Sequence, residues 1–146
     1  MLRVVFDTVV FVRALLNLKS VPGRVVFDYA DRYQLVLSTP LVIEILQVMA
    51  RDEIVGKLER RRHTYLEAIA ELLETFKHAQ AVAIPTVLPI SRDPKDDKFL
   101  ATALEAQADY LVSEDGDLLD LVEYEGIRII NTATFLGILE SLESQA

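Results

Sequence analysis

Two short runs limit what this chain can fold into. Residues 2–6, LRVVF, are apolar apart from Arg3, rich in β-branched residues, and close on Asp7. Residues 108–113, ADYLVS, form a similar run that leads into Glu114, Asp115 and Asp117. Short runs without strict polar alternation suit strands buried on both faces, as in the interior of a parallel sheet. In such sheets right-handed crossovers bring the strand carboxyl ends to one edge, and ligands bind along that edge. Both runs would therefore deliver carboxylates to the same side of the molecule.

The segments between them read as helices and further strands. Thr8 is the expected cap of a helix over Val9–Leu18, and Val25, Val26, Tyr29 and Ala30 fall at helical spacing. QLVL (34–37) reads as a second strand. Ser38-Thr39-Pro40 then signals a helix start, with the helix over Leu41–Ala50. Arg51–Gly56 reads as a loop and Lys57–Lys77 as one long amphipathic helix. Ala81–Ile84 could form an irregular strand; Asp93-Pro94 pairs an acidic cap with a proline at the first helical position. GIRII (126–130) is the last expected strand, with a helix over Ala133–Leu142 after it. This alternation predicts an α/β fold, a three-layer α/β/α arrangement around a mostly parallel sheet of four to five strands. With 146 residues, a single domain spanning 1–146 is expected.

Composition narrows the class. Hydrophobic residues make up 51%, too many for a disordered chain. No apolar run approaches the ~18 residues that span a bilayer, so no membrane partner is expected. Asp7 and Arg13 interrupt the one apolar patch in residues 1–17, which is not read as a signal peptide. The absence of cysteine removes disulfides and thiolate metal sites, and fits a cytoplasmic protein. A net charge of −8 argues against a general nucleic-acid binder unless metal neutralises some of the acids. The basic residues are clumped: Lys57, Arg60, Arg61 and Arg62 form one group, and Arg92, Lys95 and Lys98 another.

Four acids are placed to meet. Asp7 and Asp115 end strands, Asp96 opens a helix, and Glu44 sits one turn into its helix among the apolar positions. A carboxylate on that side is costly unless it is paired or metal-bound. His63 and His78 read as surface residues outside any ligand pair. Oxygen ligands without histidine or cysteine suit Mg²⁺ or Mn²⁺ rather than Zn²⁺. Such an ion can polarise a phosphodiester and activate water, and a second one ~4 Å away would steady the leaving oxygen. No phosphate-cradling glycine loop competes with this reading.

These residues also carry a family resemblance. VVFDTVVFVRALL (4–16), the segment Ser38–Val48 with Glu44, DPKDDKFLATA (93–103) and YLVSEDGDLL (110–119) resemble, in order, the four motifs of PIN-domain nucleases. RIINTATFLGIL (128–139) is similar to their last strand and helix. Within the family, the chain is most similar to PIN toxins of toxin–antitoxin systems, related to the VapC type. The resemblance implies a metal-dependent endoribonuclease with an RNA substrate, a small antitoxin partner and a homodimeric state. It carries over Asp7, Glu44, Asp96 and Asp115 as the catalytic, metal-holding acids, with Asp117 as an accessory acid. Ala101 and Ala103, five and seven positions after Asp96, match the family spacing and select Asp96 over Asp97. Ser113 takes the family's hydroxyl position, hydrogen-bonding the first aspartate or a metal water. Val9 departs from the family, which places a polar residue there.

Three other classes compete. A PIN scaffold without catalysis would serve in RNA or protein binding. A receiver-like Mg²⁺-binding signalling domain needs a phosphoacceptor aspartate ending a middle strand and a lysine ending a later one, but QLVL ends at Ser38 and no expected strand ends in lysine. A haloacid-dehalogenase-type phosphatase needs a second aspartate where Val9 stands.

Overall fold

The computed structural model describes residues 1–61, 63–84 and 96–144. Its strands are β1 (Leu2–Phe6), β2 (Tyr33–Leu37), β3 (Gln80–Ala81), β4 (Tyr110–Val112), β5 (Glu123–Tyr124) and β6 (Ile127–Ile130). Its helices are α1 (Thr8–Leu16), the short α2 (Val21–Gly23), α3 (Thr39–Met49), α4 (Asp52–Arg60), α5 (Tyr65–Lys77), α6 (Asp97–Ala106), the single-turn α7 (Gly116–Leu119) and α8 (Thr132–Ser144). The strands form one sheet in the order β3-β2-β1-β4-β6-β5. Every neighbouring pair is parallel except β5 with β6. The sheet is thus mostly parallel, as expected, with six strands among the described residues rather than four or five.

The apolar run of β1 packs into a core on each face of the sheet. Val4 and Phe6 join one core, with Phe11 and Leu15 of α1, Leu72 of α5 and Phe135 of α8. Val5 joins the other, with Leu100 and Ala103 of α6, Leu111 and Ile129. The alternation follows from the two-residue period of a strand. Phe6 meets Phe11, Tyr33 and Phe135 edge to face, with ring centroids 5.6, 5.5 and 6.2 Å away. Among the described residues, no helix is long and apolar enough to cross a membrane.

Several local expectations are corrected. Asp7, not Thr8, caps α1: its carboxylate accepts the Val10 N–H at 3.1 Å. The segment Val25–Ala30 is a π-type turn over Arg24–Asp28 that leads into a 3₁₀ turn over Ala30–Arg32. Of the expected loop at Arg51–Gly56, residues 52–56 lie within α4 and Arg51 is the extended residue that precedes it. The single long helix over Lys57–Lys77 is two helices, because the backbone is extended at Thr64 and its hydroxyl accepts the Glu67 N–H to start α5. His63 is partly buried and faces the Glu67 carboxylate at 3.3 Å, whereas His78 is exposed. Of Ala81–Ile84, only Ala81 is in a strand. The edge strand β5 pairs with β6 across a two-residue turn in which Glu125 and Gly126 both have positive φ, 51° and 85°. The helix start expected at Asp93-Pro94 lies outside the described residues.

The register of the central strands positions the site. Phe6, Val112 and Ile130 stand abreast. The Asp7 N–H bonds the Val112 carbonyl at 3.0 Å, and the Ser113 N–H bonds the Ile130 carbonyl at 2.9 Å. The first residues past three strands are thereby held side by side.

Candidate metal centre

Strand order reverses at β1: β2 lies on one side and β4 on the other. The crevice beyond the carboxyl ends of such a pair is the favoured ligand site of open α/β sheets. Asp7 and Ser113 occupy it. Asp7 is only 4% exposed. One of its oxygens caps α1, and the other accepts the Ser113 hydroxyl and the Glu114 N–H, the latter at 3.2 Å. The Ser113 oxygen in turn accepts the Asp115 N–H at 2.9 Å. A single fully buried hydroxyl therefore links the acid after β1 to the acid after β4.

Asp115 caps α7 through the Leu118 N–H at 3.3 Å, which sets Asp117 in the first turn of that helix. Asp96 stands at the start of α6. Carboxylate oxygens of Asp96, Asp115 and Asp117 all lie within 4.8 Å of one another. Asp96, and not its neighbour Asp97, joins this group. Two ionised carboxylates 4 Å apart repel by roughly 4 kcal/mol at an effective dielectric near 20. A hard divalent cation offsets that repulsion, and the all-oxygen donor set fits such an ion.

Neither Asp7 nor Glu44 belongs to the three-carboxylate group. Asp7 reaches it through Ser113. Glu44 is held at one side: one oxygen accepts the Thr8 hydroxyl, and the other lies 2.5 Å from the Lys98 ammonium. Ser38, expected only as a helix-start residue, donates to the Thr102 hydroxyl at 2.8 Å, and Thr102 donates to the Lys98 carbonyl at 2.7 Å. These bonds fasten the first turns of α6 to the end of β2.

Three residues at this edge were not singled out as site residues from the sequence. Thr8 and Lys98 hold Glu44. Glu114 accepts the Thr132 N–H at 3.1 Å and the Thr132 hydroxyl, and Arg13 approaches it at 3.8 Å. Their partners are remote in the chain, so spacing could not reveal the pairs. Two hollows of about 550 and 570 Å³ open near the amino ends of the strands and contain none of the candidate site residues.

Burial pushes the Asp7 carboxyl above its ordinary value of 3.8; the bonds from Ser113, Val10 and Glu114 oppose this, and the Glu114 charge adds to it. A raised folded-state value means that the folded chain holds the proton more tightly than the unfolded chain. The stabilising contribution of Asp7 is then fully present below its ordinary value and is lost as pH rises through the raised one. Without divalent ions, the unfolding free energy of the wild type should therefore fall relative to Asp7→Asn as pH rises from about 4. Urea unfolding in EDTA across that range measures the difference; parallel pH profiles would contradict the shift.

A family model described as PIN domain matches residues 3–117. The uncharacterized protein MJ1680 of Methanocaldococcus jannaschii is 26% identical over 124 residues, covering 82% of this chain and 75% of that protein. Two crystal structures have a similar fold, each with a TM-score of 0.60. One is VapBC2 from Rickettsia felis bound to a DNA fragment from their promoter, at 10% identity over 89% of this chain and 98% of that chain. The other is PAE2754 from Pyrobaculum aerophilum, at 13% identity over 96% of this chain and 90% of that one. The family model spans most of the chain, including both strands that carry the switch-point acids and the whole carboxylate group, and the chain belongs to the PIN domain family, whose members are generally nucleases that bind a divalent metal.

Proposed function

We propose that this PIN-domain chain is a Mg²⁺- or Mn²⁺-dependent endoribonuclease of the cytoplasm, the toxin of a type II toxin–antitoxin pair. The observation that carries the reading is the convergence of Asp96, Asp115 and Asp117 at the switch point, with Asp7 tied to them through Ser113. In this reading Asp96, Asp115 and Asp117 would hold the ion directly, and Asp7 would act on it through Ser113. The bound ion supplies a Lewis acid that polarises a phosphoryl oxygen of the substrate.

The chain's own residues do the rest. Ser113 fixes the direction of the Asp7 carboxylate and the backbone of Asp115. Glu44 anchors the Lys98 ammonium at the side of the site. Substrate binding falls to the basic residues beside the acids. Arg13 and Arg61 line a hollow of about 340 Å³ that also includes Glu114 and Thr132. Arg61 also lines an adjoining hollow with Lys57 and Arg60. Cations in such a track suit backbone phosphates, which supply affinity without reading sequence.

The likeness to the VapBC2 structure supports a small antitoxin as partner. A homodimer would bury Leu66 and Leu73, exposed two turns apart on α5. Val9 favours a second reading. It is 40% exposed at the head of α1, apolar where the family places a polar residue, which suits a scaffold that binds RNA without cutting it.

Incubation with single-stranded RNA separates the readings. Endonucleolytic products should form with Mg²⁺ or Mn²⁺ and disappear with EDTA, while DNA of the same sequence stays intact. RNA that is bound but uncut under every divalent ion would favour the scaffold. Equal cutting in EDTA would end the metal-dependent reading.

A further inference from the structure

We propose that Lys98 takes the place of a second divalent ion, its ammonium neutralising Glu44 so that the centre binds a single ion. The inference rests on the metal-centre reading above and goes beyond it. The Lys98 nitrogen lies 2.5 Å from one Glu44 oxygen, and the other Glu44 oxygen accepts the Thr8 hydroxyl. Both oxygens are thus engaged, and an ion at Glu44 would have to displace the ammonium. The two side chains are 24% and 23% exposed, so solvent and salt screen the pair less than they would on an open surface.

Lys98 is also well anchored. It follows Asp96 by two residues, so one helix start presents both a metal-holding carboxylate and a cation. Thr102 holds its carbonyl, and Ser38 holds Thr102. Lysine can perform the task of the displaced ion, since lysine, arginine and Mg²⁺ all serve as clamps on the charge of a transferring phosphoryl group. The plain alternative is an ion pair that only joins α3 to α6. That alternative predicts no change in how many ions bind when the lysine is removed.

Counting Mn²⁺ decides between them, because free Mn²⁺ is read directly by its electron paramagnetic resonance signal. Wild type and Lys98→Arg should each bind one ion per chain. Lys98→Gln, neutral but polar, and Lys98→Met should each bind two. Lys98→Met combined with Glu44→Gln should return to one. Circular dichroism melts confirm that each variant counted is folded. Two ions in the wild type, or one in both neutral Lys98 variants, overturns the inference and leaves the metal centre standing. No ion in the wild type overturns the metal-centre reading and this inference with it.

Discussion

Asp115→Asn should slow RNA cleavage by roughly 10³-fold, the scale of losing a group that stabilises transition-state charge, while leaving the fold intact. The substitution separates the two duties of this side chain. Asparagine retains an oxygen that can accept the Leu118 N–H and cap α7. It loses the negative charge that the carboxylate contributes beside Asp96 and Asp117. Asp96→Asn should behave alike, since asparagine keeps the size and one oxygen of the aspartate while losing its charge beside Asp115 and Asp117. Single-turnover cleavage read beside a thermal melt in EDTA makes the measurement. Unchanged cleavage in both variants would remove these acids from the chemistry.

The second large effect is thermodynamic. An ion that binds only the folded chain, present at 100 times its dissociation constant, adds about 2.7 kcal/mol to stability. For a chain of this length that corresponds to a rise of about 8 °C in melting temperature. Mn²⁺ should give such a rise in the wild type and little in Asp96→Asn or Asp115→Asn. Ser113→Ala should give an intermediate rise. Its hydroxyl orients Asp7 and Asp115, and losing a group that orients metal ligands typically weakens metal binding about 10–100-fold. An equal rise in all four proteins would mean that the ion sits elsewhere.

Much of the fold was legible because burial leaves a periodic trace. LRVVF and ADYLVS read as interior strands, and their terminal acids fall at one sheet edge because parallel strands share a direction. The division between α4 and α5 was also present, as Thr64 followed three residues later by Glu67, but continuous apolar spacing across the junction hid it. The edge strand β5 spans only Glu123–Tyr124, too short for any periodicity to show. At the site, Asp7 and Asp115 stood out because each follows a strand. Glu44 was harder to read, because its surroundings depend on Thr8 and Lys98, which are 36 and 54 positions away in sequence. Such pairings are set by how α3 packs on α1 and α6, not by local pattern. The same holds for Ser113, whose bond to Asp7 spans 106 positions and follows from the pairing of β1 with β4.

The most direct test is a crystal grown with Mn²⁺ and the anomalous difference density it yields. A single strong peak about 2.1 Å from carboxylate oxygens of Asp96, Asp115 and Asp117, the distance expected of a small hard divalent ion, is the predicted result. A crystal with no peak among these residues, or with its peak at a distant surface carboxylate, would contradict it.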